Sequence, residues 1–252
     1  MSSFGKAAKL GWRLLKITAL QPSRLSHVLG TALWASEEVA HHDRDLTRFP
    51  VTTVDDLLPV TGPPLKIELA LFPKTHASIS PLEFTCLVLL MKRTRARNIF
   101  EFGTYKGVSI TQLALNLPPE SKIYTLDLPD EPTDTRFAIA DAEDAVIAAE
   151  TGKGALVPPD LRPRIRFLKQ DSAALDESPY AGQMDFVFVD GAHNADYVRN
   201  DSEKGWRMLR SGGIIAWHDC RVQDPAVVQF LLASSYTPSH ISGTTLAFAT
   251  KP

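Results

Sequence analysis

The chain has 252 residues, 44% of them apolar and 22% charged, with a formal net charge of −2. That length accommodates one α/β domain plus an extension and can bury a proper core. The charge balance excludes a general electrostatic pull on nucleic acid, which is therefore not expected as a partner.

Cys86 and Cys220 lie far apart and outside any CxxC spacing. This argues against a disulfide framework or zinc knuckle and for a reducing compartment, so a cytoplasmic location is expected. No apolar run reaches the roughly 18 residues of a membrane span. The N-terminal apolar residues alternate with Lys and Arg, unlike those of a signal peptide. At about 100° per residue, Phe4, Ala7, Leu10, Gly11, Leu14 and Leu15 share one face, and Lys6, Lys9, Arg13 and Lys16 share the opposite one. The pattern predicts a basic amphipathic helix ending near Gln21-Pro22. Such a helix suits peripheral contact with the inner membrane face through residues 4–20, or packing on the domain or on the second subunit of a homodimer. Residues 1–64 read as a helical extension and linker, closing in the proline-rich stretch from Pro59 to Pro64. Residues 65–252 read as the main domain.

From about residue 80 the rhythm is helix–strand–helix. Ser80-Pro81-Leu82-Glu83 is a helix start, with a Ser N-cap, Pro at the first helical position and Glu83 three residues after the cap. Short apolar strands are expected at Asn98–Phe102, Lys122–Leu126, Arg164–Lys169, Met184–Val189 and Gly213–Trp217. Helices are expected after Gly107, over Phe137–Glu150, weakly near Ser172–Leu175, and over Ala195–Leu209. This alternation predicts a parallel sheet with helices on both faces. A last pair, near Ser239–Ser242 and Thr245–Ala249, has no helix-length segment between its members and predicts an antiparallel hairpin at the sheet edge.

Ligands in open α/β sheets bind beyond the carboxyl ends of the strands. After the first strand comes Glu101-Phe102-Gly103-Thr104-Tyr105-Lys106-Gly107, where glycines let the backbone turn sharply and approach a ligand. The spacing is not G-x-G-x-x-G, which speaks against a dinucleotide. Asp127, about 20 residues on, is placed to hold ribose hydroxyls. Gln170-Asp171-Ser172 could receive an adenine amino group, and Asp171 or Ser172 also suits a helix N-cap. The fourth strand leads to Asp190-Gly191-Ala192-His193 and the fifth to His218-Asp219. Two His/Asp pairs at neighbouring strand ends point to chemistry. Histidine is the natural base near neutral pH, and aspartates suit a hard cation.

These motifs resemble class I S-adenosylmethionine-dependent methyltransferases, and within them the small-molecule and sugar O-methyltransferases with a D-G-x-H turn. The resemblance covers about residues 78–250. It implies a Rossmann-like, doubly wound α/β fold with a seven-stranded, mostly parallel sheet and an antiparallel last strand. It implies cofactor contacts from Glu101, Gly103, Thr104, Tyr105, Gly107, Ser109, Asp127, Asp171, Ser172 and Asp190. It implies catalysis by His193 as base with Asp190, on a small-molecule or glycan acceptor. It implies a divalent cation, magnesium or another, held by Asp190, His218 and Asp219. His218 stands where some relatives carry an acid, and an imidazole suits a softer ion than magnesium. Two other readings compete: a nicotinamide-dependent oxidoreductase, which the glycine spacing disfavours, and a non-catalytic membrane-associated scaffold, which the clustered His and Asp residues disfavour.

Overall fold

The computed structural model describes residues 45–72, 79–131, 133–139, 141–221 and 223–252. The chain divides into two units, Met1–Arg44 and Asp45–Pro252. The amphipathic helix expected over residues 4–20 falls in the first and lies outside the described residues. Among the described residues no helix is long and apolar enough to cross a membrane.

Eight strands form one sheet: β1 (Val51–Thr52), β2 (Asn98–Phe102), β3 (Lys122–Asp127), β4 (Ile165–Lys169), β5 (Met184–Val189), β6 (Leu209–Trp217), β7 (Ser239–Ile241) and β8 (Ala247–Thr250). Their order is β1-β7-β8-β6-β5-β2-β3-β4. All neighbours are parallel except β8, which is antiparallel to both β6 and β7. Among the described residues the helices are α1 (Val54–Leu57), α2 (Pro81–Arg93), α3 (Val108–Leu115), α4 (Ala142–Ala149), α5 (Ala195–Met208) and α6 (Pro225–Ala233).

Every residue of β5 is buried, as a central parallel strand requires. Its alternate side chains serve two cores. Phe186 and Phe188 pack with Leu87 and Leu90 of α2 and Ile110 and Leu113 of α3. Val187 and Val189 pack on the opposite face with Val198 and Met208 of α5 and Val228 and Leu231 of α6. The helix start read at Ser80 is realised as a reciprocal capping box. Ser80 N–H donates to Glu83 Oε2 at 2.9 Å, and Glu83 N–H donates to Ser80 Oγ at 3.3 Å.

Several expectations are corrected. The final antiparallel pair exists, and β8 inserts between β7 and β6 as the resemblance implies; β1 covers β7, so the pair does not close the sheet, which has eight strands rather than seven. Val51 and Thr52, expected in the linker, supply that edge strand, with the His240 N–H bonded to Pro50 O at 2.9 Å. Two residues are too few to show a strand period. The helix expected over Phe137–Glu150 begins only at Ala142, because the backbone ahead of it bonds elsewhere. Asn194 Nδ2, for example, donates to Ala138 O at 2.7 Å. The helix α6, which starts on Asp224-Pro225, was not foreseen.

The chain leaves β2 toward β3 on one side and returns to β5 on the other, so the switch point lies at the carboxyl ends of β2 and β5. There Gly103 has φ +94°, and a Cβ on it would stand 1.9 Å from the Asp190 carbonyl oxygen. Only glycine lets the two turns touch. Beneath that turn Glu101 is fully buried. It accepts hydrogen bonds from Ser109 Oγ at 2.6 Å and Thr125 Oγ1 at 2.5 Å. Burial, reinforced by the nearby Asp190 and Asp127 charges, outweighs those hydroxyls and pushes its carboxyl up to about 8.

Two outcomes follow for this turn. Gly103→Ala combines strained backbone with a backbone overlap and should destabilise the domain by more than about 2 kcal/mol, read by denaturant unfolding; wild-type stability would contradict the close approach. Glu101 binds its proton more tightly folded than unfolded. Its contribution is therefore complete at acid pH, below the ordinary glutamate value, and is lost as pH rises to about 8. Measured against Glu101→Gln, which mimics the protonated acid, wild-type stability should fall across that window and level off above it.

Candidate active site

A single cavity of about 600 Å³ runs along the carboxyl edge of the sheet, a size suited to a cofactor with part of an acceptor. One end is formed by the turn after β2. Gly107 caps α3 in the left-handed region at φ +86°, and Gly103, Thr104, Tyr105 and Ser109 line the wall. Thr104 Oγ1 lies 2.6 Å from Thr125 Oγ1. Tyr105, at φ +42°, donates its N–H to Asp127 Oδ2 at 2.6 Å, and the Leu128 N–H donates to Asp127 Oδ1 at 2.7 Å. Each carboxylate oxygen accepts two hydrogen bonds, so Asp127 keeps capacity for a diol. Two of the expected cofactor residues differ in placement. Glu101 lies behind the wall and lines no part of the cavity, and Gly107 likewise supports the turn from outside it. A Cβ on Gly107 would approach Val157 to 2.5 Å.

Farther along, Asp171 caps the short 3-10 turn Ser172–Ala174 through the Ala173 N–H at 2.9 Å. It also accepts the Arg136 N–H at 2.8 Å and the Tyr197 hydroxyl at 2.9 Å. Most of its capacity is thus structural. Lys204 Nζ fixes the same turn by donating to the carbonyls of Ser172, Ala173 and Leu175. Ser172 lines the cavity beside Asp201, which the sequence reading missed. Burial raises the Asp201 carboxyl to about 7 against the opposing pull of Ser172, Asn200 and Lys204.

At the other end, the turns after β5 and β6 interlock. The His193 main-chain N–H donates to Asp144 Oδ2 at 2.8 Å, its ring Nδ1 lies 2.6 Å from Asp144 Oδ1, and its Nε2 lies 2.7 Å from Asp219 Oδ2. His218 Nδ1 lies 2.8 Å from the same Asp219 oxygen and 3.0 Å from Asp190 Oδ1. Its Nε2 lies 3.7 Å from Glu83 Oε1. Glu83 also receives the Thr245 N–H and hydroxyl, so the capping box of α2 doubles as the floor of the site. Burial opposes charge on both rings, but the facing carboxylates win. His193 is pushed up to about 11 by Asp144 and Asp219, and His218 is raised well above its ordinary value by Asp190, Asp219 and Glu83. Asp219 is held low by the two rings despite its burial. The facing carboxylates thus favour the charged form of both rings. Asp144, on α4, was not read from the sequence.

Candidate ligand atoms of Asp190, His218 and Asp219 lie within 4.8 Å of one another. Asp219 Oδ1 is buried without a hydrogen bond, although Arg221 Nη2 is 3.1 Å away as an ion pair. One imidazole and two carboxylates suit a transition-type divalent ion better than magnesium. Such an ion must compete with the proton on His218 Nδ1.

The family model described as a methyltransferase domain matches residues 100–220. A caffeoyl-CoA O-methyltransferase of Stellaria longipes is 27% identical over 150 residues, 58% of this chain and 55% of that protein. Tricin synthase 2 of Oryza sativa subsp. japonica is 28% identical over 154 residues, 60% of this chain and 48% of that protein. The chain thus spans about half the length of the curated relatives it matches. A Staphylococcus aureus structure assigned as a caffeoyl-CoA O-methyltransferase superposes with TM-score 0.52 at 16% identity, covering 69% of this chain and 85% of that one, a likeness of fold. The matched segment runs from the last strand residues before the glycine turn to the residue after His218-Asp219, so just under half of the chain, including the glycine turn and both His/Asp turns, is similar to a methyltransferase domain.

Proposed function

We propose that the protein transfers the methyl group of S-adenosylmethionine to a hydroxyl of a small molecule or glycan. The observation that carries this reading is one continuous cavity joining the glycine turn and Asp127 to the cluster of His193, His218, Asp190 and Asp219. The names of the relatives support oxygen as the acceptor atom.

The methionine portion of the cofactor would run past Gly103 and Ser109, its ribose would meet Asp127, and its adenine would enter beside Ser172 and Asp201. The sulfonium carbon is already electrophilic, so alignment is the main task, and orientation supplies on the order of 7–11 kcal/mol in favourable cases. The acceptor oxygen forms the new O–C bond as the S–C bond breaks, its electron pair returns to sulfur, and the hydroxyl proton leaves. His193 receives that proton. In the acceptor-free arrangement its Nε2 proton points at Asp219 Oδ2. A hydroxyl that displaces Asp219 removes one of the two carboxylates holding that proton; the proton then leaves Nε2 for solvent, and the neutral ring takes the acceptor's proton in its place. A transition-type divalent ion, held by Asp190, His218 and Asp219, would supply a Lewis acid at the same oxygen. Cys86 and Cys220, both buried free thiols, support a cytoplasmic setting.

The test is formation of S-adenosylhomocysteine in the presence of caffeoyl-CoA and a panel of hydroxylated aromatics and glycosides. Turnover with at least one acceptor is expected. His193→Ala should lower it about 100-fold or more while leaving S-adenosylmethionine binding unchanged. No cofactor binding at millimolar concentration would overturn the reading, and normal turnover by His193→Ala would remove the base.

A further inference from the structure

The use of His193 as a base depends on which ring nitrogen carries the proton. A neutral imidazole has one N–H and one lone pair, and only the lone pair can take a proton. Nε2 faces the cavity and Asp219, while Nδ1 faces Asp144. The Asp144 carboxylate is 6% exposed and grips His193 twice, through Oδ2 to the main-chain N–H and through Oδ1 to Nδ1. Two bonds from one rigid carboxylate fix both the position of the residue and the rotation of its ring.

We propose that Asp144 is the positioning residue of His193. Its two bonds turn the ring so that Nδ1 meets the carboxylate and Nε2 is left toward the cavity and the acceptor. This rests on the reading of His193 as the base. Asp144 borders the same cavity, but both of its oxygens are taken by His193, so it acts through the ring. It also belongs to α4, whose Ile147 and Ala148 line the same cavity. One helix therefore borders the cofactor space and orients the acceptor-side base.

Asparagine tests this better than alanine, because its amide oxygen can still accept the His193 main-chain N–H. Its NH₂ group then faces Nδ1, so the neutral ring must accept there and carry its proton on Nε2, the wrong tautomer for a base. In the full-length protein labelled with 15N-histidine, His193→Gln identifies the His193 ring signals. In the dead-end complex with S-adenosylhomocysteine and an acceptor from the panel, where acceptor entry makes the ring neutral, the wild type should show a protonated Nδ1, Asp144→Asn a protonated Nε2, and Asp144→Glu the wild-type pattern again. With any acceptor from the panel that turns over, Asp144→Asn should lower kcat by ~10²–10⁴-fold with the KM for S-adenosylmethionine unchanged, by analogy with the wrong-tautomer variant of a serine protease. A protonated Nδ1 in Asp144→Asn would overturn the inference, as would unchanged kcat, while collapse of turnover in His193→Gln would leave the base reading intact. Normal turnover in His193→Gln would instead sink the base reading and leave the tautomer measurement standing.

Discussion

The contact between Gly103 and the Asp190 carbonyl is the constraint on which the rest of the site depends. It joins the turn after β2 to the turn after β5, and it leaves no room for a Cβ. Because those strands are neighbours at the switch point, the contact brings a cofactor turn and a chemical turn into one cavity instead of two surface grooves. The buried acid beneath, Glu101, fastens β2 to β3 through Thr125 and to α3 through Ser109. It holds the wall from behind the cavity.

Across the cavity the organising force is electrostatic. Asp219 stands between two histidine rings, each of which has a second carboxylate on its other side, Asp144 for His193 and Glu83 for His218. In a partly buried site these charge-assisted bonds are strong, and removal of any one partner leaves another charge exposed to a poor solvent. In the proposed reaction the acceptor would compete with Asp219 for Nε2, which would make the proton affinity of His193 depend on occupancy.

Much of this was legible in the sequence because strand ends converge by topology. Once five apolar strands were recognised, Gly103, Asp127, Asp171, Asp190, His193, His218 and Asp219 had to lie along one edge. The capping box at Ser80 and Glu83 was equally plain, since both partners sit within four residues. What stayed hidden depends on distant or weak signals. Asp144 matters through a contact 49 residues away, and nothing in its own helix marks it. The apolar stretch of α6 has little amphipathic period, since it packs between the sheet and its neighbours, and β1 is too short to show one. Glu101 looked like a cofactor residue because it lies in the glycine motif; only its burial shows that it points away from the cavity. The number and order of the edge strands follow from pairings that sequence does not encode locally.

The central claim is that one cavity presents a sulfonium to an oxygen held at the His193 cluster. A crystal structure of the full chain with S-adenosylhomocysteine tests it most directly. The account predicts the adenine beside Ser172, the ribose on Asp127, and the sulfur above Gly103 facing the side chains of Asp190 and His193. A sulfur directed away from that cluster, or a ligand bound outside the cavity, would contradict it.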